Sequence, residues 1–310
     1  MSRSLKVGVT VALATAALLS GAIEHGRHMR ADLPLRELPA TTRAVLRIDT
    51  SALRRTPAAE TLFASIVGQE QLTEIEKTCG IVPIEALSDI IVWVQGPDDQ
   101  PFQSIGLLLR GRTVDASKLA ECHRLLVEAR GGSVIRLDAP MGALLASRDR
   151  RSAIALLDDR TAVAGSVRTV AETLQVERGV VTPLRDRAAL ASLWRRMGRD
   201  AAAAAVLEPP AHWREALQEL GQVGSQSALE GMRALGCSIP TGSQNTIETQ
   251  IDFVSSEAAR EDVSFVERWL HDPPESIGAP WSEVLRSARV RATGPTIRIS
   301  FDLSALAKLR

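Results

Sequence analysis

Ile90-Ile91-Val92-Trp93-Val94, then Gly96-Pro97-Asp98-Asp99, then Ser104-Ile105-Gly106-Leu107-Leu108-Leu109: the fold class turns on this stretch. Both apolar runs are too short for an independent helix. The first is rich in β-branched and aromatic residues. Gly, Pro and two Asp between the runs are turn chemistry. The stretch predicts a buried strand, a turn and a second strand.

Upstream, Ala44-Val45-Leu46-Arg47-Ile48-Asp49 reads as a short strand, and Thr50-Ser51 offers a helix cap. Leu53, Leu62, Ile66, Leu72 and Ile75 give a broken helical pattern out to Cys79-Gly80, where Gly suits a helix stop. Downstream, Asp115-Ala116-Ser117 caps a helix with Leu119, Cys122, Leu125, Leu126 and Ala129 on one stripe, ending at Gly131-Gly132. Short strands follow at 134–137, 142–147, 153–157 and 162–164, then a helix at 167–175.

The order then starts again. The run 201–207 reads as a strand, and a helix from about His212 carries Trp213, Leu217, Leu220, Leu229 and Met232. Residues 235–239 and 246–254 make a strand pair around Pro240-Thr241-Gly242. Ser255-Ser256-Glu257 opens a helix that Pro273-Pro274 ends, and 289–292 with 297–301 forms a closing hairpin. Ile48-Asp49-Thr50-Ser51-Ala52-Leu53 also echoes Phe301-Asp302-Leu303-Ser304-Ala305-Leu306. Strand, helix, strand, strand, helix, strands is the split βαβ order, which usually covers one sheet face with helices. The expectation is an α+β protein with two similar lobes, internally duplicated and able to share one continuous sheet.

Residues 1–23 are expected to be a signal peptide or a membrane anchor. Arg3 and Lys6 precede an uncharged run at 7–23, and no acid occurs before Glu24. Ser20-Gly21-Ala22 suits cleavage, whereas Arg27 and Arg30 just beyond the run favour retention. Residues 24–42, with Pro34 and Pro39, read as a tether. The first lobe then spans 43–178 and the second 179–310. Membrane contact is expected only through residues 7–23.

Lys+Arg and Asp+Glu are 37 each, and aromatics are 3% with no Tyr. Zero net charge and scarce aromatics argue against a nucleic-acid partner. Cys79, Cys122 and Cys237 form no CxxC pair, so a Cys-rich zinc site is unsupported. Three small buried thiols is the favoured reading; in an oxidising compartment, Cys79–Cys122 is the pairing most open to a disulfide.

The glycine-rich nucleotide fingerprints, HExxH and GxSxG are all missing from the sequence. His25 and His28 lack a third ligand. His123 follows Cys122 on a helix, where neighbours point apart, and His212 and His271 sit at helix edges. Asp98-Asp99 and Asp158-Asp159 fall at turn tips. Arg148-Asp149-Arg150-Arg151 and Arg195-Arg196 could meet phosphate, but their acidic neighbours favour a solvated surface. Trp194, Trp213, Trp269 and Trp281 suit core anchors.

The phrase Leu38-Pro39-Ala40-Thr41-Thr42-Arg43-Ala44-Val45-Leu46-Arg47-Ile48-Asp49, the helix after it, and Cys79-Gly80-Ile81-Val82-Pro83 ahead of a strand resemble exported or anchored envelope proteins of Gram-negative bacteria. That group has no agreed activity. The resemblance implies an α+β fold in the periplasm or at the inner membrane, with the body facing the periplasm.

The leading expectation is a non-enzymatic interaction module whose partner is another envelope protein. No catalytic, cofactor-binding or metal residues are assigned. The runner-up is a carrier or sensor of an apolar small ligand in a groove between sheet and helices. A third reading is an unmarked enzyme with Asp49, Asp115, Asp158 or Asp159 as acids.

Overall fold

The computed structural model describes residues 33–53, 69–96, 103–139, 142–198, 201–209, 231–240, 246–273 and 279–302. Among them, the strands are β1 (Thr42–Asp49), β2 (Leu87–Gln95), β3 (Ser104–Gly111), β4 (Val134–Ala139), β5 (Gly142–Ser147), β6 (Ala153–Leu156), β7 (Thr161–Gly165), β8 (Ala201–Leu207), β9 (Met232–Pro240), β10 (Thr246–Phe253), β11 (Arg289–Thr293) and β12 (Thr296–Asp302). All belong to one sheet in the order β11-β12-β10-β9-β8-β1-β2-β3-β7-β6-β5-β4. Every neighbouring pair is antiparallel.

The helices are α1 (Leu33–Glu37), α2 (Thr50–Leu53), α3 (Gln69–Cys79), α4 (Pro83–Ala86), α5 (Ala116–Ala129), α6 (Val167–Glu177), α7 (Ala188–Met197), α8 (Ser256–His271) and α9 (Ala279–Arg286). Their ends follow local chemistry. Asp115 accepts from the Lys118 N–H to cap α5, and Ser255 accepts from the Ala258 N–H to cap α8. Gly80, with φ 64°, closes α3 in the left-handed conformation that glycine adopts without penalty.

The two halves use one pairing scheme. β1-β2-β3 and β8-β9-β10 each lie in a row, and the last strand of each half, β7 or β12, sits beside the third. The halves join where β1 pairs with β8, Leu46 opposite Ala205. The single continuous sheet is as expected.

Two expectations are corrected. The element order of a split βαβ unit is present, but among the described residues no parallel pair forms. The chain leaves β1 through α2 and returns through α4 to the same end of the sheet, so β2 runs antiparallel beside β1. Nor are the helices confined to one face. On face A, Leu35, Val170, Leu174, Leu190, Leu193 and Trp194 of the α1–α6–α7 side pack on Val45, Ile91, Trp93, Leu108 and Val163. On face B, Leu72, Leu119, Val266, Leu270, Val284 and Leu285 of α3, α5, α8 and α9 pack on Ile48, Ile90, Ile154, Ile251 and Ile297. Central strands buried on both sides carry apolar residues at both phases of the alternation, and element order does not encode this.

Met232, expected at a helix end, instead starts β9. The rest of that helix, the apolar run 7–23 and the Asp98-Asp99 turn lie outside the described residues. Among the described residues no helix is long and apolar enough to cross a membrane.

Candidate functional site

Strand register gathers ionisable groups on face A at the β1–β2–β3 end. Asp49 lies opposite Asp89, Asp89 opposite Arg110, and Arg110 opposite Thr161, so these four form one row across β1, β2, β3 and β7. Arg47 precedes Asp49 by two residues and shares its face. Two aspartates directly opposite one another would repel. Arg47 answers both: Nε and Nη2 donate to Asp89 Oδ1 at 3.0 and 2.9 Å, and Nη2 lies 3.9 Å from Asp49 Oδ2. Its side chain is 4% exposed, so this pair is shielded from water.

Glu37 at the end of α1 closes the row from above. Arg110 Nη2 donates to its Oε1 and Oε2 at 2.8 and 2.7 Å. The result is an alternating chain, Glu37, Arg110, Asp89, Arg47, Asp49. Burial pushes the Asp89 carboxyl above its usual range, against the pull of Arg47, and nearby Asp49 raises it further. Burial likewise raises Glu37 against the pull of Arg110.

Of the candidate acids, Asp49 joins this row and Asp158 lies near its Glu37–Arg110 end; Asp49 Oδ1 also accepts from the N–H groups of Ser51 and Ala52 at 2.8 and 3.1 Å. It, rather than Thr50 or Ser51, caps α2. Asp115 caps α5, and Asp158 holds its turn by accepting from the Arg160 N–H at 2.7 Å. The Asp159 carbonyl receives the Ala116 N–H at 2.9 Å. The structure does not assemble these four into a cleft. Glu37, Arg47, Asp89 and Arg110 were not singled out in the sequence. A usable signal exists: each charge falls on the inward phase of an otherwise apolar alternation.

The same region fastens the segment expected to be a tether. From Leu33 on it belongs to the fold. Leu35 and Leu38 are fully buried, Leu184 N–H donates to Leu38 O at 2.7 Å, and Ala40 N–H donates to Thr182 O at 2.9 Å. Arg187 Nη1 donates to the carbonyls of Ala40 and Thr42 at 3.2 Å. Glu208 receives both Arg187 and Arg43. Reading Pro34 and Pro39 as tether residues overlooked that Leu35 and Leu38 can each fill a core position between them.

Cys79 and Cys122 are joined in a disulfide with a Cα–Cα distance of 5.0 Å, tying α3 to α5. This replaces the favoured reading of three thiols. Cys237 alone is free; burial pushes its thiol up to about 12. His123 points away from Cys122, with Nε2 3.2 Å from Ser152 Oγ, and burial lowers its pKa. Trp194 is a core anchor at 1% exposure. Among the described residues no three His, Cys, Asp or Glu side chains gather as a metal ion requires. A shallow concavity on α3 is walled by Glu70, Thr73, Glu74, Lys77 and Thr78, and it lies outside the sheet–helix interface.

Neither a family model nor a curated protein matches the chain. Among solved structures, it is similar to crystal forms I, III and IV of TP0453. Identities are 10%, 10% and 9%, and TM-scores 0.49, 0.47 and 0.46. Each match covers 89% of this chain, and 95%, 96% and 95% of the other. Likeness this distant assigns no role to any residue.

Proposed function

We propose that this chain is an exported, non-enzymatic protein of the bacterial envelope, in the periplasm or held at the inner membrane, and that its body is an interaction module for another envelope protein. The observation that carries this is the Cys79–Cys122 disulfide. Structural disulfides persist in oxidising compartments and are rare in the cytosol. It accords with the export-like start, where Arg3 and Lys6 precede an uncharged run.

The charged row supports a structural role for the buried groups. Its carboxylates and guanidiniums answer one another, and the Arg110–Glu37 pair fastens α1 to the sheet. The common pairing scheme of the two halves supports an origin by internal duplication.

The test is a fusion of residues 1–42 to alkaline phosphatase, which is active only outside the cytosol, together with N-terminal sequencing of the native chain. Enzyme activity in intact cells is expected. A fusion that stays inactive and cytosolic would refute the location.

A further inference from the structure

The sheet is open, so among the described residues it ends on two strands with one side unpaired, β11 and β4. Such edges invite pairing with another chain. The two differ in what they would accept. β11 reads Arg-Val-Arg-Ala-Thr and has no acid. Arg289 and Arg291 share a face, so a second β11 centred on the first would set arginine against arginine. Like charges directly opposite on paired strands are unfavourable.

β4 is built differently. Just before it, the Arg148 N–H donates to Ser133 O at 2.9 Å, and the next rung sets Val134 opposite Ser147. Antiparallel rungs alternate between hydrogen-bonded and non-hydrogen-bonded pairs. Ile135 and Leu137 therefore turn their backbone groups to β5. Val134, Arg136 and Asp138 turn theirs outward, where no strand meets them among the described residues. The side chains of Ile135 and Leu137 pack at the margin of the face A core. Arg136 and Asp138 stand on the other face, 69% and 78% exposed, with Arg136 Nε donating to Asp138 Oδ1 at 3.0 Å.

A two-fold axis normal to the sheet runs two copies of β4 antiparallel and sets one residue opposite its own counterpart. Centred on Arg136, it opposes two arginines; centred on Asp138, two aspartates. Centred on Ile135, it sets Arg136 against Val134 and Asp138 against Gly132, so neither charge is answered directly. Centred on Leu137, it sets Arg136 opposite the partner's Asp138 and Asp138 opposite the partner's Arg136. Those two rungs are the hydrogen-bonding ones, and the four charges around them alternate in sign. Leu137 meets its counterpart on the rung between, where side chains approach most closely. We propose that β4 is a homodimer interface in which a second copy of this chain pairs antiparallel about Leu137 and continues the sheet. The argument is charge complementarity, which this register alone satisfies. With β11 guarded by its arginines, the assembly closes as a dimer and does not grow. Six residues make a small contact, so the dimer belongs with readily reversible interfaces.

The test uses the full chain, purified in a mild non-ionic detergent, with fold checked by circular dichroism. Density-matched sedimentation equilibrium is expected to show a reversible dimer. Arg136→Asp or Asp138→Arg alone weakens it about tenfold or more, because each sets like charges opposite across the axis. Mixing the two variants restores dimers, since every opposed pair is then one acid and one arginine. Leu137→Cys gives a covalent dimer on oxidation, its counterpart lying about 4.5 Å away between Cα atoms, within disulfide reach. Ile135→Cys, two residues from the axis, does not. The proposal is overturned if the native chain stays monomeric up to about 1 mM, or if both charge variants dimerise as before. It is equally overturned if their mixture stays monomeric, or if Leu137→Cys fails to crosslink. The dimer goes beyond the interaction-module reading: a cytosolic reporter fusion would refute the location and leave this result unmoved.

Discussion

Arg47 shows how a single side chain decides what its neighbours cost. Asp49 and Asp89 face each other across β1 and β2 and are tolerable because one guanidinium, held between them, donates twice to Asp89. Arg47→Met keeps the stem and removes the charge. It leaves two carboxylates opposed in a poorly solvated place, so a loss of about 3 kcal/mol at neutral pH is expected, the low end for a broken buried pair because Asp49 is partly open to water. The pH dependence has a definite sign. Asp89 already binds its proton more tightly folded than unfolded, and losing Arg47 strengthens that preference. Stability of the variant is therefore greatest below the unfolded aspartate pKa of about 4 and falls as pH rises through the folded value. Urea melts from pH 3.5 to 7.5 check this. A penalty that does not shrink on acidification, or that survives in Arg47→Met/Asp89→Asn, would remove charge as the cause.

At the scale of elements, β8 is a strand made mostly of the best helix former. Ala201-Ala202-Ala203-Ala204-Ala205 has strong intrinsic helix propensity, yet all seven residues of β8 are buried between β1 and β9. Tertiary pairing outweighs propensity here, and the small side chains let α7 approach the sheet. The same closeness shows at Gly236 on β9, where an added Cβ would lie 3.0 Å from Leu193 and Met197. Ala204→Leu puts a large side chain under α7 at a fully buried position and is expected to cost about 1–3 kcal/mol by overpacking. The midpoint of urea unfolding is the measure, and an unchanged midpoint would mean that α7 does not pack this tightly. Much of the element map was legible in sequence. Asp115, Ser255, Gly80 and Gly131 mark helix ends where the structure has them, and the hairpin of β2 and β3 reads directly from its two apolar runs. α1 and α7 were not legible. α1 spans five residues, too short to display a period, and α7 opens without a capping side chain to mark its start.

For the whole molecule, the disulfide sets the expected response to reduction. It closes a loop between positions 43 apart, and the free Cys237 is shut in the core. The native chain should show no fast-reacting thiol, denaturation should release one, and denaturation with reductant three. Cys79→Ser/Cys122→Ser is expected to lose about 2–4 kcal/mol. Two reactive thiols in the unreduced native protein would mean the bridge is not formed. By itself, the sequence determined the α+β class, the element order and the turn and cap positions, because alternation, capping and turn chemistry act within a few residues. Only the tertiary structure decided which strands are neighbours, that both faces carry helices, and which charges meet. Arg47 and Asp89 are 42 positions apart and Glu37 and Arg110 are 73 apart. The free energy of such contacts depends on the register of distant strands, a quantity no local pattern contains.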